Sequence, residues 1–220
     1  LDDINTPRTA DLPFPDRRAA GLALAQVLQT WRGGKDLIVL ALSPGGIPVA
    51  REIADALNAP LDLLPVANIA APGRDGLSLG AAAEGGIRVW NKELVRRIGV
   101  DGNGVNRAVD AAQREVARLN QICRGGRPLP EIGGRRVILV DDGLATGARM
   151  QAAVTAARRR HPTRLVVAVP VASPEGAAVL GEGADEVICL AAPEPFHNVD
   201  EWYLDFSPVS DADVVKATSH

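Results

Sequence analysis

The feature that most constrains this chain is a set of short apolar runs alternating with helix-like segments: Leu37-Ile38-Val39-Leu40-Ala41-Leu42, Arg136-Val137-Ile138-Leu139-Val140, residues 164–170 and residues 186–190. A continuous apolar run of this length, bounded by turn signals, fits a strand covered on both faces, the environment of a parallel sheet. Repeated alternation of such strands with amphipathic helices predicts an α/β fold with a mainly parallel sheet flanked by helices. At 220 residues the chain is read as one domain, 1–220, with residues 1–15 as an N-terminal arm and 191–220 as a tail packed on the core or on a hood.

Between the strands, local signals set the other expected elements. Asp16 can cap a helix over 16–31 that Gly33-Gly34 stops. The tight loop Ser43-Pro44-Gly45-Gly46 leads into a helix over 47–58, and Pro60 to Val66 reads as a second strand. Residues 67–86, rich in Gly and Ala, predict a long loop and a short hairpin ending near 87–89. Helices are expected over 91–98, 104–121, 147–160 and 174–181, with a last one capped by Ser210.

Composition excludes several classes. A net charge of -3, with no basic stripe interleaved with aromatics, argues against nucleic acid as partner. The cluster Arg158-Arg159-Arg160 reads as a solvated helix end. No eighteen-residue apolar stretch and no leader-like segment occur, so no membrane partner is expected and a cytoplasmic location is the default. Cys123 and Cys189, and His161, His197 and His220, lie in no metal-binding or disulfide spacing.

The chemistry concentrates where the strand 136–140 ends. In an open parallel sheet, ligands bind beyond the carboxyl ends of the strands. Asp141 and Asp142 stand at such an edge, and two adjacent carboxylates there call for compensation by a ribose cis-diol or a bound Mg2+. Ala145-Thr146-Gly147-Ala148-Arg149 then opens a helix whose first free N–H groups and dipole can receive a phosphate. A plainer reading has Asp142 capping that helix, Gly143 making the turn and Thr146 bonding locally.

The string Arg136 to Gly147, with Val140-Asp141-Asp142-Gly143-Leu144-Ala145-Thr146-Gly147 at its centre, resembles the phosphoribosyl pyrophosphate (PRPP) signature of type I phosphoribosyltransferases. The resemblance extends through Phe14-Pro15-Asp16-Arg17, Gly45-Gly46-Ile47-Pro48-Val49-Ala50, residues 80–86, residues 123–128 and Trp202-Tyr203, landmarks of one bacterial subgroup. It implies a type I phosphoribosyltransferase-like fold with a small hood from the terminal and 67–90 segments. It also implies a phosphoribose site at Asp141, Asp142, Gly143, Leu144, Ala145, Thr146, Gly147, Ala148 and Arg149, with Asp141 and Asp142 catalytic. The loop Ser43, Pro44, Gly45, Gly46 would face pyrophosphate. By the same resemblance Mg2+ accompanies PRPP, and 5-phosphoribose passes to a nitrogenous base. A homodimer is left open.

The chain departs from the relatives it resembles at informative places. Pro44 stands where they carry an Arg before the paired glycines, and Ala67-Asn68 where they carry an Arg-Lys pair. Both departures remove cations expected near pyrophosphate, and each charge-assisted hydrogen bond is worth roughly 1.5 to 3 kcal/mol. A second function therefore stands beside transfer: a binding or sensing protein for a nucleotide or sugar phosphate. The family's cis peptide at this loop predicts a cis Ser43-Pro44 bond. Arg149 replaces a threonine and could pair with phosphate or point to solvent. Arg74 could restore charge, Glu84 could orient an acceptor base, and Phe196, Trp202 and Tyr203 could stack on a base or anchor the tail. His197 could shuttle protons, though a solvated histidine is the plainer reading.

Overall fold

The computed structural model describes residues 4–5, 11–34, 36–74, 77–98, 102–178 and 183–218. A six-stranded parallel sheet forms its centre. In sequence order its strands are β1 (Ile4–Asn5), β2 (Leu37–Ala41), β3 (Leu61–Leu63), β7 (Arg136–Val140), β8 (Arg164–Val171) and β9 (Glu186–Ala191), arranged in space as β1-β9-β8-β7-β2-β3. A second, antiparallel sheet follows the order β4 (Val66–Ala70), β5 (Ser78–Ala83), β6 (Ile87–Trp90).

The central strands are apolar throughout because both faces are buried, and alternate residues serve different cores. Val39, Ile138, Val166 and Ile188 enter one apolar cluster; Leu40, Leu139, Val167 and Cys189 enter the other. The first face is covered by α1 (Arg17–Val27) and α2 (Gly46–Leu57), whose Leu24, Val49 and Ile53 have no exposed surface. On the second face lies α5 (Ala148–Arg158), through Met150, Ala153 and Ala157. Burying a Leu or Ile side chain contributes about 1.5 to 3 kcal/mol, so these two layers fix the sheet.

The remaining helices are α3 (Lys92–Ile98), α4 (Gly102–Arg124), α6 (Pro174–Ala178) and α7 (Asp211–Thr218). Val109, Ala112, Val116, Leu119 and Cys123 recur at alternating spacings of three and four on α4, so one stripe is buried. Val109, Ala112 and Val116 close a third apolar cluster with Ala67, Ile69, Leu79 and Ala82 of the small sheet. Asp16 caps α1 by accepting from the Ala19 N–H at 2.7 Å. Ser210 and Asp213 cap α7 reciprocally, each side chain accepting from the other's backbone N–H.

Several expectations change here. The strand expected from Pro60 to Val66 is two strands in different sheets: β3 ends at Leu63, and β4 begins at Val66 after the break at Pro65. Residues 67–86 carry β4 and β5 rather than a long loop. The arm contributes a short edge strand, β1, beside β9. The helix expected over 174–181 is described only as α6, since residues 179–181 lie outside the described residues, as does His220. The end of α5 is not simply solvated: Arg158 pairs with Asp185 at 2.7 Å and Arg160 with Glu84 at 3.5 Å.

Candidate functional site

At the carboxyl end of β7 the chain turns through Asp141–Gly147 into α5. On one side the turn is held mainly by backbone: Leu144 N–H donates to Val171 C=O at 3.0 Å and Ser173 N–H donates to Leu144 C=O at 2.8 Å, with the Ser173 hydroxyl donating to the Ala145 carbonyl. Gly147 takes the helix N-cap with φ of 71°, a left-handed conformation that L side chains resist. A Cβ there would also sit 2.7 Å from the Gly176 carbonyl oxygen, so the loop and the start of α6 can touch only because position 147 has no side chain. No side chain caps α5, which leaves its first-turn amides for a ligand.

A cavity of about 260 Å³ opens at these amides. Asp141 and every residue from Gly143 to Arg149 line it, joined by Asn68 and Ser78 from the small sheet, Leu94 from α3 and Val199 from the tail. Seven of the residues expected to hold phosphoribose, Gly143 to Arg149, therefore form one continuous wall with Asp141.

Beside that wall, Asp141 is fully buried. Its Oδ1 accepts from the Ser43 hydroxyl at 2.8 Å and from the Asp142 N–H at 3.1 Å. Its Oδ2 lies 3.0 Å from Arg149 Nη2 but has no hydrogen-bond donor, since the ion pair lacks hydrogen-bond alignment. Burial pushes the Asp141 carboxyl up to about 6; Arg149 pulls against it, the Asp142 charge adds to it, and the Ser43 hydrogen bond opposes it. The same Asp141 charge holds the Arg149 guanidinium above its usual range.

Asp142 is held from a different direction. Arg17 Nε donates to its Oδ2 at 3.0 Å, and the Tyr203 hydroxyl donates to its carbonyl at 2.5 Å. Burial pushes the Tyr203 hydroxyl far above its ordinary value, which keeps it a donor. Arg17 also donates to the Ser207 carbonyl at 2.8 Å and lies 3.5 Å from the centre of the Phe206 ring. The tail aromatics are accordingly anchors: Tyr203 packs on Phe14 and Phe206, and Phe196 on Trp202.

A second cavity, about 330 Å³, lies where pyrophosphate was expected. Ser43 and Pro44 line it together with Ala67, Asn68, Ala70 and five α4 residues that include Ala108, Ala112 and Glu115, and among the described residues Arg149 is its sole Lys or Arg. Gly45 and Gly46 do not line it. The Ser43-Pro44 bond is trans, contrary to the cis expectation; the cis bonds among the described residues are Leu12-Pro13 and Glu194-Pro195. The reason is local: Gly46 N–H donates to Ser43 C=O at 3.1 Å, and Gly45 is helical at φ -61° and ψ -32°. Pro44 thus occupies the second position of a turn running into α2, which trans proline suits.

Other expected residues fall elsewhere. Arg149 does not point freely to solvent; it lies on the acid pair, 3.0 Å from Asp141 and 3.7 Å from Asp142. Glu84 is in neither cavity and faces Arg160 at 3.5 Å and Arg124 at 3.8 Å. Arg74 and His197 are exposed, and neither lines either cavity. Arg17, which holds Asp142, carried no functional signal of its own in the sequence beyond its place in the family landmarks, and Tyr203, read there as a base-stacking or anchoring residue, donates to the Asp142 carbonyl.

A parallel sheet, two carboxylates at a strand end and an uncapped helix start define an α/β protein with a pocket at the carboxyl edge of its sheet, and comparison with known proteins narrows that class. Residues 17–206 match the family described as phosphoribosyl transferase domain, and the chain belongs to that family. The type I phosphoribosyltransferase-like fold follows, with the small antiparallel sheet as its hood. Proteins from two strains of Mycobacterium tuberculosis, each provisionally named a phosphoribosyl transferase, are 41% identical over 206 residues. That match covers 92% of this chain and 45% of each relative, so the chain spans about half the length of these curated relatives. The crystal structure of TT1426 from Thermus thermophilus is 40% identical with a TM-score of 0.74, covering 94% of this chain and 98% of that one.

Proposed function

We propose that this chain binds a phosphoribosyl compound, with the 5-phosphate on the first-turn amides of α5 and the ribose hydroxyls on Asp141 and Asp142. The observation that carries this reading is Asp141 Oδ2, a fully buried acceptor without a donor, on the wall of a cavity that ends at uncapped amides. A buried unsatisfied acceptor costs about 1 to 3 kcal/mol, and a ribose O–H donates what it lacks. The family supports the corresponding activity, transfer of 5-phosphoribose from PRPP to a nitrogenous base. In that reaction the chain's own residues act chiefly by alignment, the acids fixing the sugar and the amides the phosphate.

Mg2+ fits this donor set in company with a ligand. Among the described residues no group of three or more His, Cys, Asp or Glu could hold a metal. Mg2+ commonly takes one or two carboxylates together with substrate phosphate oxygens, the part open to Asp141 and Asp142. When bound, it would neutralise charge developing on the leaving pyrophosphate.

A second reading is favoured by the second cavity, whose lining offers one guanidinium, several alanines and a carboxylate where pyrophosphate needs cations. On that reading the site holds a nucleotide or sugar phosphate without turnover. Calorimetry with PRPP, ribose 5-phosphate and AMP, each with and without Mg2+, separates the two. Mg2+-dependent PRPP binding supports transfer, whereas binding of AMP or ribose 5-phosphate alone supports sensing. The double variant Asp141→Asn, Asp142→Asn abolishes binding of all three; retained binding would place the site elsewhere.

A further inference from the structure

Arg149 and Asn68 are the two residues that line both cavities, and Arg149 is the one Lys or Arg on either wall among the described residues. Its guanidinium lies across Asp141 and Asp142, where ribose hydroxyls would donate. Charge holds it there without hydrogen-bond alignment to Asp141, and its side chain keeps 30% of its surface exposed. Such a contact is cheap to exchange for aligned O–H donors. The far wall offers Arg149 little else, because both oxygens of Glu115 are already taken by Arg118 at 2.8 Å.

Resting on the phosphoribosyl reading, we propose that Arg149 is the specificity-determining residue of the site: it substitutes for the ligand's hydroxyls on the acid pair, and once they bind it turns into the second cavity to receive a second anionic group. The two ends of a ligand bearing two anionic groups then bind cooperatively. Displaced by only a few ångströms, the guanidinium still neutralises the buried acids at short range, and Arg17 remains on Asp142. A single residue thereby supplies positive charge to a cavity that has no other, and supplies it only when the sugar end is occupied.

The test uses inorganic pyrophosphate as probe, titrated calorimetrically into the chain with and without saturating ribose 5-phosphate. Ribose 5-phosphate strengthens pyrophosphate binding about tenfold, and pyrophosphate strengthens ribose 5-phosphate binding by the same factor, as linkage requires. In Arg149→Gln the ratio falls to about one, while Arg149→Lys, which keeps the charge, retains part of it; melting curves confirm that each variant is folded. Three results overturn the proposal while leaving the phosphoribosyl reading intact: coupling that survives in the folded Gln variant, ribose 5-phosphate that binds without affecting pyrophosphate, and ribose 5-phosphate that weakens pyrophosphate binding by competing for the α5 amides. If ribose 5-phosphate does not bind the unaltered chain, the phosphoribosyl reading falls and this proposal with it.

Discussion

The two cavities that meet at Arg149 are built from different materials. The first is made of backbone: a turn pinned by main-chain hydrogen bonds, a left-handed glycine and the open amides of a helix start. The second is made of side chains, chiefly alanine methyl groups from β4 and α4 around Pro44 and Glu115. Backbone sites persist as long as the turn can form, whereas a side-chain site changes character with each substitution. That is why the first cavity rests on open backbone amides while the far one depends on a single guanidinium, Arg149, among the described residues.

The contrast can be broken most severely at Gly147. Gly147→Ala places a Cβ against the Gly176 carbonyl and forces a strained φ, costing roughly 1 to 2 kcal/mol for the conformation alone. Ribose 5-phosphate binding should fall roughly a hundredfold, the combined effect of strain and lost amide geometry, measured by calorimetry. Ordinary affinity in this variant would mean that the phosphate does not sit on the α5 amides.

A milder change sharpens the comparison from the other side. Asn68→Arg adds a guanidinium at an exposed position on the wall common to both cavities. It should raise pyrophosphate affinity about tenfold, the worth of one charge-assisted hydrogen bond, with a smaller gain for ribose 5-phosphate. No gain for pyrophosphate would show that shape, not missing charge, limits the far cavity.

A separate effect falls on stability against pH. Burial raises the Asp141 carboxyl from 3.8 to about 6, so between these values the folded state holds a proton that the unfolded state has released. The contribution of this group to stability is therefore greatest below pH 4 and is lost as pH rises through 6. Melting curves of the unaltered chain and Asp141→Asn should show that decline in the former and its absence in the latter. A parallel pH dependence in both would mean that Asp141 is not the buried acid responsible.

What the sequence disclosed follows the same division of materials. Strands β2, β7, β8 and β9 were legible because burial on both faces writes an unbroken apolar run. Strands β4 and β5 were legible only as a long loop and a short hairpin, because packing between α4 on one face and α5 on the other demands small residues, and Gly80, Ala81, Ala82 and Ala83 show neither alternation nor β-branching. At the site, Asp141, Asp142 and the Gly143–Gly147 turn stand adjacent in sequence and could be read together. The hold on Asp142 could not, since Arg17 reaches it across 125 positions and Tyr203 across 61. Arg149 was visible as a cation, but its direction depends on a partner that only folding supplies.

The clamp on Asp142 also sets an order of events. Arg17 joins the Asp142 carboxylate to the Ser207 carbonyl, contacts separated by 125 and 190 positions, while Phe14 and Tyr203 pair beside it. Chains emerge from synthesis at about 5 to 20 residues per second, and contacts of such long range close late. The central strands are all made by residue 191, before Tyr203 and Ser207, which complete the clamp that Arg17 begins, exist. A nascent chain therefore completes its sheet before it can clamp Asp142, and the tail locks that carboxylate as a last act of maturation.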